Sequence, residues 1–79
     1  MTFNAKLIDW DKLQGLIPAI IQHDMTGQVL MLGWMDKAAL ELTQTSKKVT
    51  FYSRSRQSLW TKGETSGHFL ELKKIFLDW

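Results

Sequence analysis

The chain contains no cysteine, and this absence removes disulfides and thiolate metal sites from its 79 residues. A domain of that length buries only about 60% of the surface that its unfolded chain exposes, so its stability is marginal. The supports that remain are a partner subunit, a further portion of chain, or a metal held by oxygen and nitrogen ligands. The 4 Trp residues are large, so we expect them to be buried or used in binding.

Long apolar runs are absent as well. The apolar stretch Val29–Met35 is far shorter than the roughly 20 residues that a membrane span requires. Residues 1–6 do not lead into the apolar segment of a signal peptide. We therefore expect a soluble, cytoplasmic protein with no membrane partner. The formal net charge of +2 is too small to indicate nucleic-acid binding by itself.

The sequence predicts one α+β domain over residues 1–79, with a mainly antiparallel sheet, opened by a β-hairpin, and one short helix. Two apolar runs, 16–23 and 28–34, flank the segment Asp24–Gly27. Asp bonds readily to its own backbone and Gly supplies a positive φ, so this segment is typical of a hairpin turn. Both runs are nearly continuous in apolar residues, and we expect both faces of this sheet to be covered.

Asp36 is placed to act as the N-cap of a helix, because its carboxylate can accept a hydrogen bond from the first helical turn. The helix is predicted over residues 37–45, with Met35, Ala39 and Leu42 on one face. Its shortness means that packing, and not intrinsic propensity, has to stabilise it.

Further strands are predicted over residues 49–53 and 69–73, which are rich in β-branched and aromatic side chains. The final residues, 75–79, are a strand-like apolar run with neither a turn nor a polar tail after it. This ending is typical of a chain cut short, so we expect an incomplete domain.

The segment Ser53–Gly67 concentrates the residue types that bind anions. Arg presents a planar fork of donors that fits phosphate, and Lys adds a point charge. Glycines at 63 and 67 allow close backbone approach to a ligand, and Trp can stack on a purine. The segment predicts a nucleotide-like ligand and these site residues: Ser53, Arg54, Arg56, Trp60, Lys62, Glu64, Thr65 and Ser66.

A solvated turn between two strands is the alternative interpretation of this segment, since no P-loop or dinucleotide fingerprint is present. Glu64 can orient a water molecule or act as a base, or it can be a solvated surface carboxylate. His23 is predicted to bond to nearby backbone, whereas His68 is a candidate ligand contact. Asp9 and Asp11 form either a weak cation site or turn caps.

Two strings give the chain a resemblance to a known family. Ser-Arg-Ser-Arg over 53–56, followed by Leu-Trp-Thr-Lys-Gly-Glu-Thr-Ser-Gly over 59–67, resembles the signature of the phosphoribosyl-AMP cyclohydrolases. Residues 15–22 and 27–35 are similar to the opening hairpin of that family. The resemblance implies hydrolytic opening of the adenine ring of phosphoribosyl-AMP, at its N1–C6 bond, in histidine biosynthesis. It also implies a homodimer that uses zinc and magnesium.

The resemblance further implies roles for single residues. Trp60 and Glu64 would shape the site, and the groups that hold the phosphates and ribose would be Arg54, Arg56, Lys62, Thr65 and Ser66. Asp78 corresponds to the first aspartate of the family's magnesium motif, and Trp79 stands where that motif has a cysteine. The zinc cysteines lie further along in the family, so we expect an N-terminal part of the domain that is inactive alone.

Two other functions stay open at this point. One is a degenerate nucleotide-binding or dimerisation module without catalysis. The other is a small basic nucleic-acid binder, against which the low net charge and the lack of a long basic face argue. Nucleic-acid binding would fall steeply with added salt, which distinguishes it from the other two.

Overall fold

The computed structural model describes residues 5–77, and within them it forms two antiparallel two-stranded sheets and one α-helix. The elements, in chain order, are a 3₁₀ helix (Ala5–Leu7), β1 (Ile17–Gln22), β2 (Val29–Met35), α1 (Lys37–Ser46), β3 (Thr50–Ser53) and β4 (Ser58–Thr61). This arrangement confirms the α+β class, the opening hairpin and the short helix. Among the described residues, no helix has the length and apolar character that crossing a membrane requires.

Strands β1 and β2 form the predicted hairpin. They pair antiparallel from Ile17 with Met35 to Ile21 with Met31, and the register shifts before Gln22. Their connection is closed by the amide of His23, which donates to the carbonyl of Gln28 at 2.8 Å. The His23 ring also takes part, because its Nδ1 accepts from the amides of two turn residues at 3.1 and 3.3 Å. The prediction of a histidine bonded to backbone is thus confirmed.

Only one face of this hairpin is covered within the described chain, so the prediction of two covered faces is wrong there. Alternate side chains of β1 and β2 pack on the core, including Ile17, Ile21 and Met35. The opposite side chains are open, with Ile20 65% and Leu32 61% exposed. A single helix and a second hairpin supply one packing layer, which is enough for one face of the sheet.

The helix begins as predicted. The Asp36 carboxylate accepts from the Ala39 amide at 2.7 Å, and α1 runs from Lys37 to Ser46. Its buried face consists of Ala39, Leu40 and Thr43, whereas Leu42 is 42% exposed. Leu42, predicted to share one face with Met35 and Ala39, therefore does not join Ala39 on the buried face. The Thr43 side of the helix faces β3, because the threonine hydroxyl is hydrogen-bonded to the backbone of Thr50 in that strand.

Strands β3 and β4 form a second hairpin, which pairs from Thr50 with Thr61 to Ser53 with Ser58. The segment 69–73, predicted to be a strand, makes one isolated antiparallel bridge between Glu71 and Lys48. Two backbone bonds of 2.9 and 2.7 Å hold it beside residues 47–49, which is too short a ladder for a strand. The core is small, and it consists of Ile8, Met35, Ala39, Leu40, Val49 and Phe51.

Residues 8–12, which precede the first hairpin, take part in the core and in a capped turn. Ile8 is buried in the core, and the partly buried Trp10 packs against it. The Asp9 carboxylate accepts from the Lys12 amide at 3.1 Å, so this residue caps a turn. Of the two interpretations of Asp9, the structure favours the cap over a cation site.

Candidate nucleotide-binding site

An open cleft of about 280 Å³ lies around β4 and the loop that follows it. One lining residue, Arg56, lies in the turn before β4. The others lie at the end of that strand and in the loop after it. The lining residues are Arg56, Trp60, Thr61, Lys62, Gly63, Glu64, Thr65 and Ser66. A contiguous stretch of chain, from 60 to 66, therefore forms most of the cleft.

The loop after β4 closes tightly around Gly63. This residue is buried with φ +94°, and a Cβ placed on it would lie 2.5 Å from the His68 carbonyl oxygen and the Phe69 amide nitrogen. The amide of Gly67 donates back to the carbonyl of Gly63 at 2.6 Å. Any side chain at 63 would collide with backbone, so the loop requires glycine there. The closure leaves Glu64, Thr65 and Ser66 exposed.

Thr61 links the cleft to the second hairpin. Its hydroxyl lies 3.0 Å from the hydroxyl of its cross-strand partner Thr50, and one of the two donates to the other. Its amide donates to the Glu64 carboxylate at 3.3 Å. Glu64 is thus tied to backbone at the cleft, with its second carboxylate oxygen available as a hydrogen-bond acceptor.

Two cationic side chains, Arg56 and Lys62, line this cleft. Arg56 is exposed and Lys62 is half-buried. Within residues 5–77 neither forms a salt bridge with an acidic side chain, unlike Lys73, which pairs with Glu71 at 3.5 Å. With the Glu64 carboxylate, the two cations give the cleft a formal charge of +1. Unpaired cations beside serine and threonine hydroxyls are suited to an oxyanion such as phosphate.

The cleft brings together six of the eight site residues that the sequence predicted. The other two lie outside its lining. The Arg54 guanidinium carbon is 4.9 Å from the centre of the Trp34 ring, a cation–π arrangement at the first hairpin. Ser53 caps the turn, since its hydroxyl accepts from the Arg56 amide at 3.3 Å. Ser53 therefore supports the backbone that carries Arg56.

Two residues of the lining, Thr61 and Gly63, were not among the eight predicted site residues, although glycine at 63 was expected to allow close backbone approach to a ligand. Their position in the sequence could have identified them, because both lie between predicted site residues in the uninterrupted stretch 60–66 that lines the cleft. His68, a candidate ligand contact, is not part of the lining. Its amide donates to the Ser66 hydroxyl at 3.2 Å, which places its backbone at the base of the loop.

No metal site accompanies the cleft in the part of the chain that the structure describes. Residues 5–77 contain no group of three or more His, Cys, Asp or Glu side chains that could hold an ion. Asp78, the predicted magnesium ligand, lies outside the described residues.

The described chain thus has an α+β arrangement with a polar cleft of formal charge +1. The chain belongs to the phosphoribosyl-AMP cyclohydrolase family, because the sequence model of that family matches residues 31–79. The match confirms the resemblance seen in the sequence.

Three curated relatives illustrate the similarity, and each is named histidine biosynthesis bifunctional protein HisIE. The protein from Shewanella oneidensis is 65% identical over 71 residues, which are 90% of this chain and 34% of the relative. The Vibrio cholerae protein is 59% identical with the same two coverages. The Escherichia coli K12 protein is 56% identical, with 90% of this chain and 35% of the relative covered. The chain thus spans about a third of the length of these relatives.

Proposed function

We propose that this chain supplies the nucleotide-binding part of a phosphoribosyl-AMP cyclohydrolase that acts in the cytoplasm in histidine biosynthesis. The observation that carries the proposal is the cleft, because the contiguous residues 60–66, which lie within the part of the chain that matches the family, form it together with Arg56. The names of the relatives support the pathway. At about 280 Å³ the cleft is slightly smaller than common ligand pockets, which begin near ~300 Å³. The cleft therefore has room for part of the substrate, a phosphate group with its ribose and base, and not for the whole of it.

The proposed reaction is a hydrolysis of the adenine ring. The oxygen of water forms a bond to C6, and the N1–C6 bond breaks with its electron pair on N1. One proton of the water goes to N1 and the other to the exocyclic nitrogen on C6, so C6 becomes the carbon of a carboxamide. The residues of this chain bind and orient the substrate for that step. Arg56 and Lys62 pair with phosphate, the hydroxyls of Thr65 and Ser66 donate to it, and the Trp60 ring contacts the base. A held substrate reacts faster because its orientation is fixed before the reaction begins.

A catalytic zinc ion does not fit the described residues. A catalytic zinc site normally uses three protein ligands, and residues 5–77 hold no group of three. The sequence also contains no cysteine. A magnesium role for Asp78 stays a prediction.

We also propose that the protein is a homodimer, in which a second copy covers the outer face of the first hairpin. We define this outer face by Pro18, Ile20, Leu32 and Trp34, which point away from the core. Ile20 and Leu32 are each more than 60% exposed, and Trp34 is 37% exposed. An apolar sheet face left open to water is typical of an interaction surface.

The alternative function is a nucleotide-binding or dimerisation module without catalysis. It uses the same cleft and the same outer face, so ligand binding does not separate it from the enzyme. An assay for loss of the adenine ring does, when it is made on a protein that also contains the remaining two thirds of the relatives' length.

The binding proposal is tested by nuclear magnetic resonance with ¹⁵N-labelled chain at fixed ionic strength. AMP and ribose 5-phosphate carry the phosphate, and adenosine, which lacks it, is the matched control. We expect localised shifts in residues 56–66 with the two phosphates at millimolar concentration, and much weaker shifts with adenosine. The proposal would be overturned if neither AMP nor ribose 5-phosphate caused localised shifts. It would also be overturned if adenosine caused shifts as large as those of AMP.

A further inference from the structure

The backbone of β2 makes room for an aromatic ring at Gly33. A Cβ placed on Gly33 would lie 2.5 Å from Cε1 and 3.0 Å from Cγ of Phe51, so the phenyl ring occupies the space where a side chain would stand. The cross-strand partner of Gly33 is Ala19, another small residue. Together these two small residues leave a depression in the inner face of the first hairpin. Phe51, which is fully buried, fills it.

The same phenyl ring contacts the cleft through Trp60. Phe51 and Trp60 are cross-strand partners in the second hairpin, and their ring centres are 5.1 Å apart with a tilt of 34°. This separation lies within the range of favourable aromatic pairs. Trp60 is half-buried and lines the cleft. Phe51 is therefore a link between the depression at Gly33 and the indole that a ligand meets.

We propose that Phe51, seated on Gly33, is a positioning residue that fixes the Trp60 indole as a platform for the adenine base. The inference rests on the proposed function, and it adds that this cleft separates base binding from phosphate binding. Because β2 and β3 are held in their hairpins, a bulkier residue at 33 forces the phenyl ring to move, and the Trp60 ring of the cleft packs against that phenyl ring. Phosphate contacts from Arg56 and Lys62 do not run through this link.

The alternative is that Phe51 is a core residue with no influence on the ligand. The two readings differ in what they predict for ligands with and without a base. Loss of core packing lowers the folded fraction and weakens every ligand in proportion. Loss of a base platform weakens AMP and leaves ribose 5-phosphate unchanged. The ratio of the two dissociation constants, which we call the base preference, therefore distinguishes them.

The test uses the 79-residue chain with AMP and ribose 5-phosphate as the two probes. For the wild type we expect a base preference of about tenfold, since stacking on one aromatic side chain is of that order. Phe51→Leu keeps apolar bulk and removes the ring, and we expect it to lose most of the preference. Leu40→Val, a change in the same core at a residue that is 1% exposed, is the matched control for lost packing. Leu40→Val should leave the base preference unchanged when it is compared with Phe51→Leu under conditions where both variants are folded to the same extent.

Gly33→Ala tests the other end of the link. The clash with Phe51 can prevent folding, so the double variant Gly33→Ala/Phe51→Leu accompanies it. Leucine is smaller and more flexible than phenylalanine, and we expect the double variant to fold while still lacking the base preference. In a Trp60→Leu background, Phe51→Leu should cause no further loss, because coupled residues act through one contact. The free proteins give a second readout, since removal of the phenyl ring should shift the Trp60 indole N–H resonance.

Three results would overturn the inference. One is a wild type that binds both probes without preferring AMP. Another is a Phe51→Leu variant that weakens both probes equally, or no more than Leu40→Val does. The third is an undiminished effect of Phe51→Leu in the Trp60→Leu background. A wild type that binds neither probe overturns the proposed function as well, so the two failures are distinguishable.

Discussion

Arg54 and Arg56 lie two positions apart in the same turn, yet the structure gives them different surroundings. Arg56 lines the cleft with its guanidinium free of acidic partners among the described residues. Arg54 stacks over Trp34, at the edge of the outer face. A cation–π contact at an exposed site contributes about 0.5–1 kcal/mol, which is enough to favour one side-chain direction. The sequence motif alone gives both arginines the same role.

We expect Arg56→Ala and Lys62→Ala each to weaken AMP binding about tenfold or more. A hydrogen bond to a charged group contributes roughly 1.5–3 kcal/mol, and about 1.4 kcal/mol corresponds to a factor of ten. The measurement is an AMP titration followed by nuclear magnetic resonance or calorimetry. Lys12→Ala removes the same charge from an exposed turn outside the cleft lining, and its affinity should stay within about twofold of wild type. Equal losses in all three variants would mean that only net charge matters.

Arg54→Ala distinguishes the role that the family resemblance implies for Arg54 from the position that the structure gives it. The resemblance implies that Arg54 holds phosphate, whereas the structure places it outside the cleft lining. From the geometry we expect AMP affinity within about twofold of wild type, because surface changes away from a site have small effects. A tenfold loss in the same titration would show that Arg54 swings from Trp34 into the cleft when ligand binds.

The site was predictable where its residues are contiguous. Strand β4 and the closed loop place residues 60–66 along one cleft, so a local string is enough to identify them. The direction of Arg54 was not predictable, because it depends on Trp34 in a different hairpin. The contact between Phe51 and Gly33 was not predictable either, because these residues also lie in different hairpins. Contacts between elements leave little trace in a single sequence.

At the scale of elements, helix α1 and strand β3 are joined by one buried hydroxyl. The Thr43 hydroxyl accepts from the Thr50 amide at 2.9 Å and donates to the Ala39 carbonyl at 2.8 Å. Thr43 and Thr50 are each 1% exposed, so bulk water does not reach this bond. Buried amides need such a partner, and this one ties the helix to the strand that carries Phe51.

We expect Thr43→Val to lower the free energy of unfolding by about 1–3 kcal/mol, because it leaves the buried Thr50 amide without an acceptor. Thr45→Val is the matched control. Its hydroxyl makes the same type of bond, to the Glu41 carbonyl at 2.8 Å, but it is exposed to water. Urea unfolding of both variants and the wild type measures the difference. Equal destabilisation would show that the hydroxyl of Thr43 is dispensable.

The loop after β4 allows a similar comparison of two glycines. Gly63 and Gly67 both have positive φ, at +94° and +82°. A Cβ meets backbone at Gly63 and nothing within 4 Å at Gly67. We expect Gly67→Ala to lower the free energy of unfolding by about 1–2 kcal/mol from its φ alone. Gly63→Ala should cost clearly more and also abolish AMP shifts in residues 62–66. Similar costs for both would contradict the tight closure.

The elements that the sequence predicted well have signals close together in the chain. Asp36 and its helix are one example, and the turn Asp24–Gly27 between two apolar runs is another. The failures depend on distant partners. Leu42 faces outward because Thr43 is bonded to β3, and residues 69–73 meet only a short stretch of backbone. Periodicity within a segment contains neither piece of information.

At the scale of the whole molecule, binding and catalysis are expected to separate. We expect the 79-residue chain to cause no loss of adenine-ring absorbance in phosphoribosyl-AMP, with or without added zinc. The reason is that its described residues hold no group of three metal ligands. The measurement is a spectrophotometric assay in which a longer HisIE protein serves as the positive control. Metal-dependent turnover by the chain above background would contradict this expectation.

The outer face gives a prediction about assembly. A small core leaves Ile20 and Leu32 on that face mostly exposed, and each square ångström of apolar surface that a partner covers contributes about 25 cal/mol. We therefore expect the wild type to be a dimer at micromolar concentration in sedimentation or light-scattering measurements. A well-folded monomer at high micromolar concentration would count against the dimer itself.

Leu32→Lys tests whether this face is the interface. A lysine there would have to be buried in an apolar contact without a partner, which strongly disfavours association. We expect the dissociation constant of the dimer to rise at least about tenfold, which corresponds to about 1.4 kcal/mol. Leu42→Lys makes the same change on helix α1, where the leucine is 42% exposed, and it should leave the dimer intact. Circular dichroism must first show that both variants are folded. If Leu42→Lys dissociates the dimer and Leu32→Lys does not, then the partner covers the helix, and the outer face of the hairpin has another role.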